Sequence, residues 1–280
     1  MDESFKNVGC VAIVAFPSEN DVLISNLGTR SDLSFERRER RDLEMTGPAT
    51  SHIGTLNEKP LHAALKQWYA RPGDQFEVRL DGYFIDIVRE EELIEIQTRN
   101  LGALRGKLKK VLANHPVTLV YPVAESKWIV KHDKRSNGTR SRRKSPKHGS
   151  ILTAFEELVS IPRLLIKPGL KLVIALIEEE EHRQHDPRRA WRRKGWVVEE
   201  RRLLNVLDSC VLDRPQDYMD LLPGGLPEHF TTADLSKWLK CTRQVAQQVA
   251  YCFHKMSYIE RVGKKGRYYL YRKNRDLQLV

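Results

Sequence analysis

The sequence predicts an α/β fold in which helices flank a mixed central sheet, followed by a small C-terminal domain. Short apolar runs of strand length occur at 83–88, 93–97 and 116–121. An amphipathic helical pattern lies between the second and third runs, and a helix joining two strands indicates a crossover and a partly parallel sheet. A stretch rich in Pro and Gly at 221–227 then separates this region from the C-terminal segment.

Local signals place the elements around these runs. Asn57 is a typical N-cap for the first helix, and Asp81-Gly82 is a typical hairpin turn between two strands. The predicted elements, in order, are a helix at 58–70, strands at 76–80, 83–88 and 93–97, a helix at 101–112, a strand at 116–121, a helix at 152–159 and a strand at 170–177.

The charge balance predicts a polyanionic partner. The chain has 48 Lys and Arg against 37 Asp and Glu, a net charge of +11 and a pI near 9.5, and nucleic acid is the usual partner of such a chain. No apolar run reaches the roughly 18 residues that a membrane span needs, so no membrane partner is expected. Four scattered cysteines give neither a zinc finger nor a disulfide framework, which favours a cytoplasmic location.

Four regions follow from composition. Residues 1–53 lack sustained periodicity and are predicted to be a poorly ordered extension, residues 54–220 form the sheet domain, 221–227 are a linker, and 228–280 form the C-terminal domain. Within the second region, 131–148 carries eight Lys or Arg and one Asp. This segment is predicted to be a basic loop, and its Arg142 and Arg143 are candidates for contacts with DNA phosphates.

Polar residues occupy positions where buried strands should be apolar. Asp86 lies between two isoleucines, and so does Glu95, with Gln97 one step beyond. Side chains alternate across a strand, so Glu95 and Gln97 share a face, and a hairpin would let Asp86 share it too. Buried carboxylates cost several kcal/mol unless something compensates, and a divalent cation such as Mg²⁺ does so. Buried ion pairs with Arg or Lys are the alternative.

This pattern resembles the PD-(D/E)XK nuclease superfamily, which includes restriction endonucleases and Holliday-junction resolvases. The resemblance covers roughly residues 54–123: Glu58 on a first helix, Asp86 ending one strand, Glu95-x-Gln97 on the next, and then a basic helix. It implies a restriction-endonuclease-like fold and a Mg²⁺- or Mn²⁺-dependent endonuclease that leaves a 5′-phosphate and a 3′-hydroxyl.

The resemblance also implies residue roles. Asp86, Glu95 and the backbone carbonyl of Ile96 would hold the metal, with Glu58 reaching in from the helix. Gln97 stands where the family usually has lysine. Because Gln supplies no positive charge, cations elsewhere would have to lend it to the phosphate; the candidates are Arg99, Arg105 and Lys107.

The C-terminal segment resembles winged helix-turn-helix domains. Thr231 or Thr232 caps a first helix, Thr242 begins a second helix that runs to about Lys255, and a basic hairpin follows at 258–271. Long amide and guanidinium side chains on the second helix suit the reading of base edges, and cations of the hairpin suit phosphates. The predicted DNA-binding residues here are Arg243, Gln244, Gln247, Gln248, Lys264, Lys265 and Arg267.

Together these signals predict a DNA-binding, metal-dependent nuclease that its C-terminal domain delivers to DNA. One alternative is a winged-helix transcriptional regulator whose nuclease-like domain is inactive and serves dimerisation or sensing. Another is a structural DNA-binding component of a defence or repair complex. The sequence leaves a homodimer open, because nucleases that cut both strands often pair. His62, one helical turn after Glu58, could support the metal ligands, but a histidine of a capping turn or of the surface is the expected interpretation.

Overall fold

The apolar runs pair into one large sheet. The computed structural model describes residues 59–132, 139–186, 188 and 194–274. The strands are β1 (Gln75–Leu80), β2 (Tyr83–Arg89), β3 (Glu92–Ile96), β4 (Val117–His132), β5 (Thr139–Lys144), β6 (Leu170–His185), β7 (Trp196–Leu212), β8 (His229–Phe230), β9 (Ile259–Lys265) and β10 (Tyr268–Lys273). The helices are α1 (Pro60–Tyr69), α2 (Arg105–Val111), α3 (Phe155–Leu158), α4 (Pro215–Met219), α5 (Thr232–Trp238) and α6 (Arg243–Lys255), with 3₁₀ turns at Leu101–Leu104 and Ile151–Ala154.

The large sheet is mixed, as predicted. Seven strands run in the order β1-β2-β3-β4-β6-β7, with β5 paired to β4. The β3–β4 and β4–β6 pairs are parallel, and the remaining pairs are antiparallel. The helical segment from Leu101 to Val111 makes the predicted crossover between β3 and β4. At the β1–β2 turn, Asp81 and Gly82 both have positive φ angles of 51° and 83°, as a tight hairpin of this type requires.

Helices cover both faces of this sheet. Leu61 and Leu65 of α1 pack on one face with Ile87, Ile94 and Ile96; we call this the α1 face. The other face, the α2 face, is packed by the remaining helices, among them α2 and α3 with Leu108 and Phe155. The central part of the chain is therefore an α/β structure with a large mixed sheet between helices.

The long strands extend well beyond the predicted runs. Glu178–Glu181 interrupts the apolar pattern, yet β6 continues through it to His185, paired to β4 along its whole length. On β4, Trp128 donates to Glu178 and Lys127 lies 2.8 Å from Glu179. Partners on the neighbouring strand thus hold these carboxylates in the sheet.

The basic loop predicted at 131–148 is largely wrong. Lys131 and His132 end β4, and Thr139–Lys144 forms β5, antiparallel to β4, while residues 133–138 lie outside the described residues. Charged residues are typical of such an edge strand, because they oppose pairing with another chain. A run of cations therefore proved compatible with a strand.

The C-terminal elements form a three-stranded sheet in the order β8-β10-β9 with α5 and α6. Both predicted helix starts are confirmed: the Thr231 hydroxyl accepts from the N–H groups of Ala233 and Asp234, and the Thr242 hydroxyl accepts from Val245 N–H. The buried side chains of these elements, including Phe253, belong to the same core cluster as the α2 face.

The segment 221–227, predicted as a linker, contributes Leu222 and Leu226 to that shared core. The predicted extension 1–53 lies outside the described residues. Among the described helices, none is long and apolar enough to cross a membrane.

Candidate functional site

Strands β2 and β3 stop pairing beside Asp86 and Glu95. Their last registered pair is Ile87–Ile94, while β3 stays paired to β4 as far as Ile96. We call Asp86 and Glu95 with the surrounding end of these strands the carboxylate junction. At the gap where β2 and β3 separate, polar side chains can lie inside a sheet that is otherwise apolar.

Asp86 is held at this gap by two donors. Its Oδ2 accepts from the Ile96 N–H at 2.7 Å and lies 3.2 Å from Nε2 of His62 on α1. Burial alone would raise the pKa of Asp86, but the hydrogen bond and charge of His62, the Ile96 N–H and the nearby Lys107 ammonium outweigh it and lower that pKa. Asp86 is therefore a carboxylate at neutral pH.

Glu95 contacts α2, on the face of the sheet opposite α1, whose His62 contacts Asp86, so the single shared face expected for the two carboxylates is not observed. The Oε2 atom of Glu95 is buried and lies 2.5 Å from Nζ of Lys107 on α2, which also donates to the carbonyl of Phe84. Burial and the negative charge of Asp86 raise the pKa of Glu95 from 4.5 to about 7, although Lys107 and His62 act to lower it. Near neutral pH the junction therefore holds one carboxylate and one group close to its titration point.

The backbone of Ile96 completes the oxygen set. The N–H groups of Leu93 and Gln97 donate to Pro116 and Val120 on the β4 side. Main-chain direction alternates along a strand, so the N–H and C=O of Ile96 face β2, as the Ile96–Asp86 hydrogen bond confirms. The Ile96 carbonyl thus opens into the gap beside Asp86.

The cations predicted near this site take different positions. Lys107 reaches Glu95, whereas Arg105 donates to the carbonyl of Ser160. Arg99 lines a cleft of about 220 Å³ between the start of α1 and β7. The structure thus supplies one cation to the carboxylates, from α2 rather than from β3.

Gln97 has a different environment from the one expected. Its side-chain NH₂ donates to the carbonyls of Arg99 and Asn100, at 2.5 and 3.4 Å. Asn100 has a φ of 54°, so the chain turns sharply here. The Gln97 side chain therefore closes the turn after β3.

One helix residue was missed and another falls outside the structure. His62 was expected at the surface, but it contacts Asp86 and its side chain is only 22% exposed. Glu58 lies outside the described residues. The one-turn spacing of these two residues was the available signal, and helical periodicity alone does not say which strand the histidine meets.

The junction offers few ligands for a cation. Within the described ranges, no group of three or more His, Cys, Asp or Glu side chains could hold a metal ion. Two carboxylates and a backbone carbonyl are hard oxygen donors, and Mg²⁺ commonly binds through one or two carboxylates together with waters and substrate phosphates. The donor set therefore fits an ion of this type that the substrate helps to bind.

A second candidate site lies on α6 and the β9–β10 hairpin. The buried side of α6 includes Val245, Val249 and Phe253. The predicted residues Arg243, Gln244 and Gln247 are exposed, and Gln248 is partly so. We call this face of α6, with the hairpin, the α6–hairpin surface.

Cations of the hairpin gather around tyrosines. The guanidinium groups of Arg243 and Arg267 lie 4.5 and 5.2 Å from the ring centre of Tyr268, and together they lower the pKa of its hydroxyl. Lys264 and Lys265 are exposed beside them. Helix α6 and the hairpin therefore present their positive charge together.

The two cations predicted on the basic segment lie on β5. Arg142 stacks 3.9 Å over the Trp128 ring and its Nε lies 2.7 Å from a carboxylate oxygen of Glu180. Arg143 is exposed opposite Ile129. Arg142 thus already has both an aromatic and an acidic partner within the sheet.

Comparisons with known proteins show to which family the chain belongs. An uncharacterized protein of Treponema pallidum (strain Nichols) is 33% identical over 228 residues, which cover 79% of this chain and 87% of that protein. No solved structure matches the chain significantly. A family model described as "Domain of unknown function (DUF8091)" matches residues 59–213, which include every strand of the large sheet. The match spans more than half of the chain, and the chain therefore belongs to the DUF8091 family.

Proposed function

We propose that this protein is a DNA-binding, metal-dependent nuclease that hydrolyses phosphodiester bonds at the carboxylate junction. The observation that carries the proposal is that Asp86 and Glu95, with the backbone of Ile96 beside them, lie on adjacent buried strands where the pairing of these strands ends, and that the charge of Asp86 acts on Glu95. Three oxygen donors from adjacent strands at a break in the sheet are a costly arrangement in an apolar core. Binding of a cation beside a phosphate offsets that cost.

Asp86, Glu95 and the Ile96 carbonyl would hold Mg²⁺ or Mn²⁺. When bound, such an ion lowers the pKa of a coordinated water and stabilises charge on a phosphodiester oxygen. His62 and the Ile96 N–H keep Asp86 ionised and oriented for this role. Glu95, with a pKa raised to about 7, would release its proton when the ion binds.

Lys107 supplies the positive charge that Gln97 lacks. Its ammonium lies on Glu95 in the free protein, and a bound cation would compete with it for the same carboxylate. Lys107 would then be free to face the phosphate, where charge develops during the attack. The proposed catalytic cation thus comes from α2.

The C-terminal elements would deliver DNA to this site as a winged helix-turn-helix. Helices α5 and α6, the tight turn between them and the basic β9–β10 hairpin occur in the order and size of that motif. Gln244 and Gln247 would face base edges, while Lys264 and Lys265 would contact phosphates.

A DNA-binding regulator with an inactive junction is the second candidate. The observation that favours it is that each carboxylate already has a partner: Asp86 contacts His62, and Glu95 contacts Lys107. Ion pairs of this kind would let the junction persist as a structural feature. The two candidates share the α6–hairpin surface and differ in activity.

Cleavage of supercoiled, linear, branched and single-stranded DNA with Mg²⁺ or Mn²⁺ separates the candidates. We expect the wild type to cut at least one form, and Asp86→Ala and Glu95→Ala to abolish cutting. Glu91→Ala is the matched control, because Glu91 is an exposed acid near the start of the same strand. Its activity should equal that of the wild type.

Two results would contradict the nuclease assignment. Cutting that survives both junction substitutions would point to a contaminating nuclease. DNA binding by the wild type without cutting of any form would favour the regulator. Loss of Mg²⁺ binding by the two junction variants, measured by calorimetry with DNA present, would tie the metal to the same residues.

A further inference from the structure

A basic cavity lies where the sheet region meets α6. Its volume is about 470 Å³, it is open to solvent, and it is lined by residues of α2, the segment 159–167 and the C-terminal end of α6. Five cations line the cavity, and none of its lining residues is acidic: they are Arg105, Lys109, Arg163, Lys167 and Lys255.

Several cations of the sheet region have acidic partners, whereas these five have none among the described residues. Lys107, Lys127 and Arg183 each lie within ion-pair distance of a glutamate. Across the described chain, by contrast, no carboxylate lies within ion-pair distance of Lys109, Arg163 or the other three cations of the cavity. Like charges gathered without counter-charges repel one another, so the cavity favours a polyanion.

One wall of the cavity continues the exposed face of α6. Gln244, Gln248, Tyr251 and Lys255 recur at intervals of three or four residues, which places them along one side of the helix. Tyr251 is 40% exposed and, like Lys255, lines the cavity. The face proposed to read DNA therefore runs directly into the basic cavity.

We infer that the cavity binds the phosphate backbone of the same DNA that α6 contacts, so that the DNA-binding surface extends from α6 across the segment 159–167 to α2. This inference rests on the proposed DNA binding. Base-reading residues lie toward the start of α6, and the cavity cations lie at its end, where the flanking phosphates of a duplex would pass. The Arg105 side chain on α2 donates to the Ser160 carbonyl and so connects α2 to the segment 159–167.

Helix α2 links this surface to the carboxylate junction. Arg105 and Lys109, four residues apart, line the cavity, while Lys107 between them contacts Glu95. An α-helix with its side chains is about 10 Å across. DNA held in the cavity would thus lie about one helix width from the carboxylates. Helices α6 and α2 would bind it as one surface.

Charge reversal at Arg163 tests the inference. Arg163 is exposed and lines the cavity, and Arg79, which is exposed on the edge strand β1 and does not line the cavity, is the matched control. We expect Arg163→Glu to weaken binding of a labelled duplex about tenfold and to lower the salt slope of log K by about 1. Arg79→Glu should leave both values near those of the wild type, and thermal unfolding of both variants should match it.

The outcomes separate the inference from the proposed function. A wild type that binds no DNA overturns both. If Arg163→Glu weakens duplex binding no more than Arg79→Glu does, the inference alone is overturned. A third outcome is that inorganic phosphate raises the Tm of the wild type but not that of Arg163→Glu, while the two proteins bind DNA equally well. This result would assign the cavity to a small anion and overturn the DNA assignment.

Discussion

The carboxylate junction and the α6–hairpin surface use charge in opposite ways. At the junction, Asp86 and Glu95 are largely buried and each is matched by a basic group from a covering helix. On the α6–hairpin surface, Lys264 and Lys265 are exposed and stand beside further cations. Desolvation dominates the first region and solvent screening the second. Substitutions at the junction should therefore change stability, while those on the surface should change binding.

The largest effect on stability is expected for Lys107→Met. Its removal leaves Glu95 as a buried charge without its cation, and breaking such a pair costs about 4 kcal/mol. The loss of stability should be greatest at pH 8 and smaller at pH 6, because at pH 6 Glu95 is largely protonated and needs no counter-charge. Urea unfolding at both pH values measures it.

Lys109→Met is the control for this substitution. Lys109 lies two residues further along α2 and is exposed, so its replacement should change the free energy of unfolding by less than about 0.5 kcal/mol at either pH. Equal effects of the two variants would show that the Glu95–Lys107 pair contributes nothing, and would remove the contrast between the two regions.

A pH-dependent effect is expected for Glu95→Gln. The pKa of Glu95 is raised from 4.5 to about 7 in the folded protein, so between these pH values the folded state binds more protons than the unfolded state. Stability due to this group is therefore complete below pH 4.5 and falls as the pH rises to 7, by about 3 kcal/mol at most. Glu95→Gln should remove this slope.

Unfolding of both proteins from pH 4.5 to 8 measures the difference. Glu91→Gln, an exposed acid of the same region, should keep the wild-type profile. A difference between Glu95→Gln and the wild type that stays constant across this range would mean that the pKa of Glu95 is not raised. Added Mg²⁺ should flatten the wild-type slope as well, because a bound cation favours the ionised carboxylate.

The contrast between the regions also explains what the sequence could predict. Local signals sufficed for the crossover, the Asp81-Gly82 turn and the two threonine caps, since each depends on neighbouring residues. The hairpin between their strands predicted that Asp86 and Glu95 lie on adjacent strands, but not that helices on opposite faces of the sheet contact them. Contacts between distant segments were not encoded locally, and His62 on Asp86 is the clearest example.

Charged runs were the other source of error. The predicted strand at 170–177 ended before the four consecutive glutamates at 178–181, and the basic segment at 131–148 was predicted to be a loop, yet both runs contribute to strands of the sheet. The partners that allow this, such as Lys127 for Glu179 and Glu181, lie about 50 residues away on β4. The basic cavity escaped detection for the same reason, because its cations come from three separate segments.

On the α6–hairpin surface, we expect the double substitution of Lys264 and Lys265 by Ala to act on binding alone. Loss of two phosphate contacts should lower duplex affinity about tenfold and reduce the salt slope of log K by about 2. The free energy of unfolding should not change, because both side chains are exposed. Fluorescence anisotropy over a range of salt concentrations measures both quantities, with Arg79→Ala as control. Unchanged affinity would exclude the hairpin from the interface.

The smallest effect is expected for Thr231→Ala, which removes the N-cap of α5. The Thr231 hydroxyl accepts from Ala233 and Asp234 N–H, and the Asp234 carboxylate accepts in return from the Thr231 N–H. Loss of this cap should cost about 1 kcal/mol. Because Phe253 of α6 and Phe155 of the sheet region share one core, the whole transition should shift to lower temperature as a single step. A separate early transition of the C-terminal elements, seen by calorimetry, would show that they unfold independently, and the continuous DNA surface inferred from the cavity would then lose its rigid support.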